Sequence, residues 1–352
     1  MILHHQIKKF VIACFALSAV SSHVFAQITN TQIKGFAEFL GTYEKEKVNF
    51  ALGEQDLFIT SELHDKISFL GESVFKYSAS SPTFFDVSIE RIVIKYNVKG
   101  NHNLLFGKHH TPINYWNDTY HHGRVFFPTI YRPLLFSANI IPLHTTGISL
   151  QGHDFGKLKW GYDVMIGNGL GSTDVSDNDK HKSITAAFHC KPLNGLRLGA
   201  SYYLDNIATN VDSTTIHSHS TGGNTINPMH PDIMQQLATG SVAYFGKKFE
   251  FLCEATFAFN STDSLGTSTS MGMYAYAGIK IKEKFVPYVR FDLLNFDNKE
   301  LYYVKNNTTS FVVGMRYEVN YLTVVKLEYQ HDETDLTPTT RNMITAQIAI
   351  GF

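Results

Sequence analysis

Apolar and polar residues alternate with a period of two through most of the chain, and the alternation is cleanest at its end. There Ile344, Ala346, Ile348, Ile350 and Phe352 interleave with Thr345, Gln347, Ala349 and Gly351. The same alternation runs through Phe311, Val313, Met315, Tyr317 and Val319, and again through Val325, Leu327 and Tyr329. It recurs in Leu158 to Ile166, in Leu196 to Leu204 and in the odd positions from Phe249 to Phe259. A period of two places one residue set on each face of a β-strand. A soluble sandwich would show the same pattern, so length and connections must separate the alternatives. These strands are about 9 to 12 residues long, enough to cross a bilayer at a tilt, whereas soluble strands average about 5 to 6. Charges such as Arg197, Glu254, Arg316, Glu318, Lys326 and Glu328 stand in mid-strand on the polar face, as a wet lumen allows.

Short connections are expected at 63–66, 99–101, 154–156, 192–195, 246–248, 283–284 and 320. Long ones are expected around 42–48, 78–85, 108–143, 167–181, 206–232, 260–270, 294–308 and 331–340. Alternation of short and long connections is the asymmetry of membrane barrels. Counting between connections gives sixteen strands, with the phase blurred in 48–60, shifted between Ile89 and Ile92 and unclear in 233–245. A β-bulge accounts for a shift of this kind. In lipid every backbone N–H and C=O must be paired within the protein, which a closed sheet achieves. The fold expected is therefore all-β, a closed antiparallel transmembrane barrel of about sixteen strands.

The N-terminus adds an address. Lys8 and Lys9 precede an apolar run from Val11 to Val20, and Val24-Phe25-Ala26 has the small residues of a cleavage site. Residues 1–26 thus read as a secretory signal peptide, with the barrel domain over 27–352. A lipoprotein box at Val11-Ile-Ala-Cys14 is the rival reading, opposed by the short apolar run before Cys14. No later segment reaches the roughly 18 consecutive apolar residues of a spanning helix. Aromatics make up 13% of the chain and charged residues 17%, a greasy, sparsely charged composition that fits membrane strands. With 30 Lys and Arg against 31 Asp and Glu, and no basic block after the leader, nucleic acid is excluded as a partner. Cys190 and Cys253 fall at apolar phases of separate strands, so no disulfide framework is expected.

The densest motif lies in the longest connection. Gly107, His110-Thr-Pro112, Tyr115-Trp-Asn117, His121-His-Gly123, Arg132-Pro133, Pro142, His144 and Gly147 form a block that resembles a poorly characterised family of Gram-negative outer-membrane porin-like β-barrel proteins. Phe352, at an outward phase, similarly resembles the terminal aromatic of bacterial outer-membrane proteins. The resemblance implies an integral outer-membrane protein, in contact with outer-membrane lipid and assembled as a homotrimer. Apart from the resemblance, a 35-residue connection rich in apolar side chains, among them Tyr115, Trp116, Phe126, Phe127, Ile130 and Phe136, is too greasy for a solvated loop. It is expected either to fold inward and narrow the lumen, or to pack over the barrel mouth or against its wall.

Candidate lining residues are Lys108, His110, Tyr115, Trp116, His121, His122, Arg124, Arg132 and His144. Lys108, Arg124 and Arg132 would make a cationic eyelet favouring anions, or else Arg132 satisfies loop carbonyls. Imidazole is a common metal ligand, but adjacent histidines on an extended chain point opposite ways, so no metal site is expected. Asp174 to Asp179 lacks EF-hand spacing and reads as an acidic loop, and 213–230 as a loop of unspecified recognition. The expected function is passive diffusion of small hydrophilic solutes or ions, without cofactor or catalytic residues. The alternative is a barrel without an open pore, acting in surface binding or as a lipid hydrolase. The hydrolase needs a nucleophile and a histidine on neighbouring strands of the lipid face. His189, the one histidine well inside a clear strand, stands at an inward phase.

Overall fold

A computed structural model describes residues 30–78, 81–120, 123–170, 177, 180–208, 231–335 and 339–352. Sixteen strands are formed: β1 (Asn30–Glu44), β2 (Lys47–His64), β3 (Ile67–Tyr77), β4 (Phe85–Lys99), β5 (His102–His110), β6 (His144–Phe155), β7 (Trp160–Gly167) and β8 (Ser183–Leu193). They continue with β9 (Leu196–Ile207), β10 (Ile233–Phe245), β11 (Phe249–Thr262), β12 (Gly266–Ile279), β13 (Phe285–Asn295), β14 (Thr308–Asn320), β15 (Thr323–Thr334) and β16 (Thr339–Gly351). Each pairs antiparallel with its sequence neighbours, and β1 pairs with β16 to close the barrel. The seam is extended by Gly35 and Phe352, which exchange backbone hydrogen bonds of 2.9 Å in both directions. No edge is left, which is what a strand in lipid requires.

The outer face carries a continuous band of exposed apolar side chains. Ile348, Leu327, Val313, Ile166, Ile94 and Phe50 are all exposed, on strands distributed around the barrel. Trp160, Phe249, Phe285, Tyr321 and Phe352 stand outward near the short turns, and Tyr43, Tyr77, Tyr202 and Tyr329 toward the opposite end. Two aromatic girdles around an apolar band mark the two interfaces of a membrane. Cys190 and Cys253 are free, half-buried thiols on this face.

The strand phase explains its own irregularities. In β2 the exposed set changes from Val48, Phe50 and Leu52 to Ile59, and the pairing with β1 shifts register between Ala37 and Phe39. In β4 the outward set moves from Ile89 to Ile92, where Glu72 pairs with Arg91 but Ser73 with Ile89, leaving Glu90 as the bulged residue. The phase of β10 is hard to read because its inner face is apolar too: Ile233, Leu237 and Ala243 are buried against a loop inside the barrel.

Three connections expected to be long are not. The first is a two-residue turn, Lys45 and Glu46, with φ of 49° and 61°. Both residues adopt the left-handed region that primed hairpin turns require, without the Asn-Gly or Asp-Gly signal that usually announces it. The connection near 260–270 is a three-residue link before Gly266, whose φ is 79°, a position that glycine occupies without strain. Strands β15 and β16 likewise extend beyond the limits set by a 331–340 loop. The wide connections on that rim are 78–84, 111–143, 168–182, 208–232 and 296–307.

Candidate functional site

Residues 111–143 leave the wall after β5 and return at β6, and they run inside the barrel. The base is zipped shut. His110 and His144 are cross-strand partners, the Thr111 amide donates to the Leu143 carbonyl at 3.0 Å, and Thr111 and Thr145 join hydroxyls at 2.7 Å. Asn117 then clips both legs, its amide donating to the carbonyls of Thr111 (2.9 Å) and Leu143 (3.1 Å). The loop carries two short helices, α1 (Tyr115–Thr119) and α2 (Leu134–Ser137), and a 3₁₀ turn over Arg124–Phe126.

One side of the loop is a hydrophobic core built against the wall. Ile113, Trp116, Phe127, Leu135, Phe136 and Ile140 pack with Leu237, Leu252, Ala258, Tyr274, Leu294 and Val312 of β10 to β14. Trp116 is 1% exposed and meets Phe127 and Tyr274 edge to face at 5.3 Å and 5.8 Å. Burial of this many aromatic and aliphatic side chains is the main force holding the loop in, each worth roughly 1.5–3 kcal/mol when fully covered.

A buried loop must also place its backbone polar groups, and here the wall supplies the partners. The amides of Tyr115 and Trp116, at the start of α1, donate to the Glu254 carboxylate, with Trp116 at 3.0 Å. Tyr274 donates its hydroxyl to the same carboxylate at 2.5 Å. Ile130 donates to Glu328 at 2.6 Å, and Leu134 to Asp292 at 2.9 Å. Gly123 donates to Asp56 at 3.3 Å. Wall cations take the carbonyls. Lys326 donates to Arg124 (2.7 Å) and Thr129 (3.1 Å), Arg290 to Tyr131 (2.7 Å) and Arg316 to Pro128 (3.2 Å). The charges that in sequence suggest a wet lumen, Glu254, Arg316, Lys326 and Glu328, are thus buried anchors of the loop.

The opposite side of the loop meets acidic strands. Arg124 stands 3.0 Å from Glu54 and 3.6 Å from Glu38, and 5.0 Å above the Phe127 ring. Burial alone would weaken this guanidinium's hold on its proton, but the Glu54 and Glu38 charges raise its pKa above the usual value. Arg132 is buried, with its guanidinium 5.8 Å from the centre of the Phe127 ring. Burial, reinforced by the Arg124 charge, lowers its pKa to about 10, so it stays a cation at neutral pH. Burial likewise raises Tyr115 and Tyr120 above the usual phenol range, which keeps both hydroxyls protonated.

The other expected lining residues divide. Tyr115 and Trp116 are in α1, with Trp116 wholly in the core. Lys108 is buried and donates to the Ile89 carbonyl at 2.6 Å, beside the β4 bulge. His110 and His144 face each other with ring centroids 5.5 Å apart, and His144 lies 3.4 Å from Glu90. His121 and His122 lie outside the described residues, as do most of 174–179 and all of 213–230. Among the described residues no three His, Cys, Asp or Glu side chains converge as a metal site. The wall partners Glu254, Asp292, Glu328 and Arg290 could not be singled out in sequence, because an inward charge looks the same whether it faces water or a loop.

No family model matches the chain, and no curated protein matches it in sequence. Solved structures do match in fold. An anion-selective porin from Comamonas acidovorans has 10% identity and a TM-score of 0.66, over 92% of this chain and 100% of that one. The trimer form of OmpT, an outer membrane protein of Vibrio cholerae, has 11% identity and a TM-score of 0.63, over 92% and 99%. The outer membrane channel DcaP of Acinetobacter baumannii has 12% identity and a TM-score of 0.61, over 92% and 97%. The chain therefore shares its fold with outer-membrane porins, whereas the motif block around His110 has no family model behind it.

Proposed function

We propose that this protein is an integral outer-membrane channel, delivered by the leader at 1–26, through which small hydrophilic solutes and ions diffuse passively. The observation that carries the reading is a long loop folded inside a sixteen-strand barrel and fixed to its wall at both flanks. A barrel of this strand number encloses more space than its own side chains fill, and a rigid loop across that space sets the width and lining of what remains. Arg124 and Arg132 put two cations on the loop, while Glu38, Glu54 and Asp56 face it from β1 and β2. Homotrimeric assembly is part of the proposal, supported by the trimer form of the Vibrio cholerae protein.

One observation favours a second reading. The inward charges of β11, β13, β14 and β15 are engaged by the loop itself, as they would be in a plugged barrel that presents its rim to a surface partner. Lipid hydrolysis gains no comparable support. His331 points outward but is held by Asn342 at 2.8 Å and Glu333 at 3.4 Å, and its bonds include no Ser or Thr hydroxyl nucleophile.

The test is single-channel recording of the refolded chain from Gln27 to Phe352 in a planar bilayer under a salt gradient. Steady conductance steps are expected. Silence from a heat-modifiable, correctly folded barrel would discard the channel and leave the plugged reading.

A further inference from the structure

Between α1 and the inner face of β6 to β10, toward the ends joined by the short turns, lies a cavity of about 420 Å³. Small-molecule sites typically occupy roughly 300–1,000 Å³. Two features of its lining point to one kind of ligand. First, apart from the imidazoles of His153 and His189, its formal charges number two of each sign, and all four are engaged. Asp118 accepts from Arg197 at 2.8 Å, Lys191 donates to Asp154 at 3.0 Å, and Asp163 accepts from Ser149 and Gln151. A charged solute would have to compete with these partners for the same groups.

Second, the remaining polar surface is neutral. Ser241 on β10 presents a hydroxyl, both donor and acceptor, and Ser201 and Thr239 beside it add two more, which also bond the Asn114 amide (3.4 Å) and the Thr256 hydroxyl (3.3 Å). Gly199 keeps the space between them open, since a Cβ there would stand 2.6 Å from the Ser241 hydroxyl. The ceiling is fixed rather than soft. Arg197 reaches from β9 to Asp118 on α1 and lies 5.0 Å over the Tyr115 ring, so it ties the loop to this wall.

We propose that this cavity is a binding subsite for small, uncharged, polyhydroxylated solutes of about hexose size. The inference rests on the channel reading for how such a solute reaches the lumen, but binding itself can be measured without conduction.

The test uses D-glucose as the probe and the refolded barrel in detergent, followed by isothermal titration. Saturable binding in the millimolar range is expected, weakened about tenfold or more by Ala187→Phe, which fills the cavity from β8 between Asp163 and Ser201. Ser241→Leu, on β10, provides a second variant should the first fail to fold. Gluconate, of similar size but anionic, is expected to bind more weakly than glucose. Absence of saturable glucose binding, equal affinity in both folded variants, or gluconate binding as tightly as glucose would overturn the proposal. A barrel that binds glucose yet is silent in the bilayer would sink the channel and keep the subsite; a conducting barrel blind to glucose would do the reverse.

Discussion

Glu254 shows how far the role of a residue depends on what the fold brings to it. In sequence it is one inward-phase carboxylate among several; in the barrel, on β11, it is 0% exposed and collects two helix-start amides and a phenol. The first N–H groups of a helix have no partner within it, and a buried donor left unsatisfied costs about 1–3 kcal/mol. Glu254→Ala should therefore loosen α1 while leaving the barrel closed. Trp116, the indole in that helix, provides the readout. In a Trp160→Phe background its emission should shift to longer wavelength in the Ala variant, with heat-modifiable migration retained; unchanged emission would remove Glu254 as the clamp of the loop. Charge at that phase was legible in the sequence, but its partners, 138 residues and more away for the two amides, were not.

At the scale of elements, legibility follows which face a strand shows to which surroundings. Strands with apolar side chains outside and polar side chains inside, such as β9, β15 and β16, display their phase openly. The bulge in β4 was readable because Ile89 and Ile92 must both reach lipid. The phase of β10 was not, because the loop supplies a second apolar environment and both faces answer to burial. The Lys45-Glu46 turn was missed for a different reason: its left-handed backbone is imposed by the pairing of β1 and β2 rather than by residues that prefer it. This makes a directional prediction. The double substitution Lys45→Asn with Glu46→Gly matches the residues to the turn, relieving left-handed strain of roughly 1–2 kcal/mol per residue against about 0.5–1 kcal/mol of added chain entropy at the glycine, and should raise stability by about 1 kcal/mol, read as a higher unfolding temperature of the purified barrel. A lower one would mean that the two side chains contribute more at the rim than their backbone conformation costs.

For the whole molecule the organising contrast is between an outer face of exposed apolar side chains and an inner face that packs against a folded loop. Period, strand length and connection spacing were enough to infer the closed sixteen-strand barrel, because all three follow from crossing a membrane with paired backbone. The loop's place inside the barrel follows instead from apolar content that could equally have covered the mouth, and its seat became definite only with the wall charges in view. The two faces should accordingly fail in different ways. Ile348 stands on the lipid face in the clean alternating run of β16, half exposed and paired with Phe39 and Val325. An arginine there must carry its charge into hydrocarbon, at a cost of about 2–4 kcal/mol near the bilayer centre. Ile348→Arg should lower the unfolding free energy in lipid vesicles by that amount and reduce the yield of heat-modifiable protein, while Trp116 emission in the fraction that folds stays unshifted. The loop's anchors are all on the inner face, so an altered Trp116 signal in that variant would show that wall and loop fold as one cooperative unit.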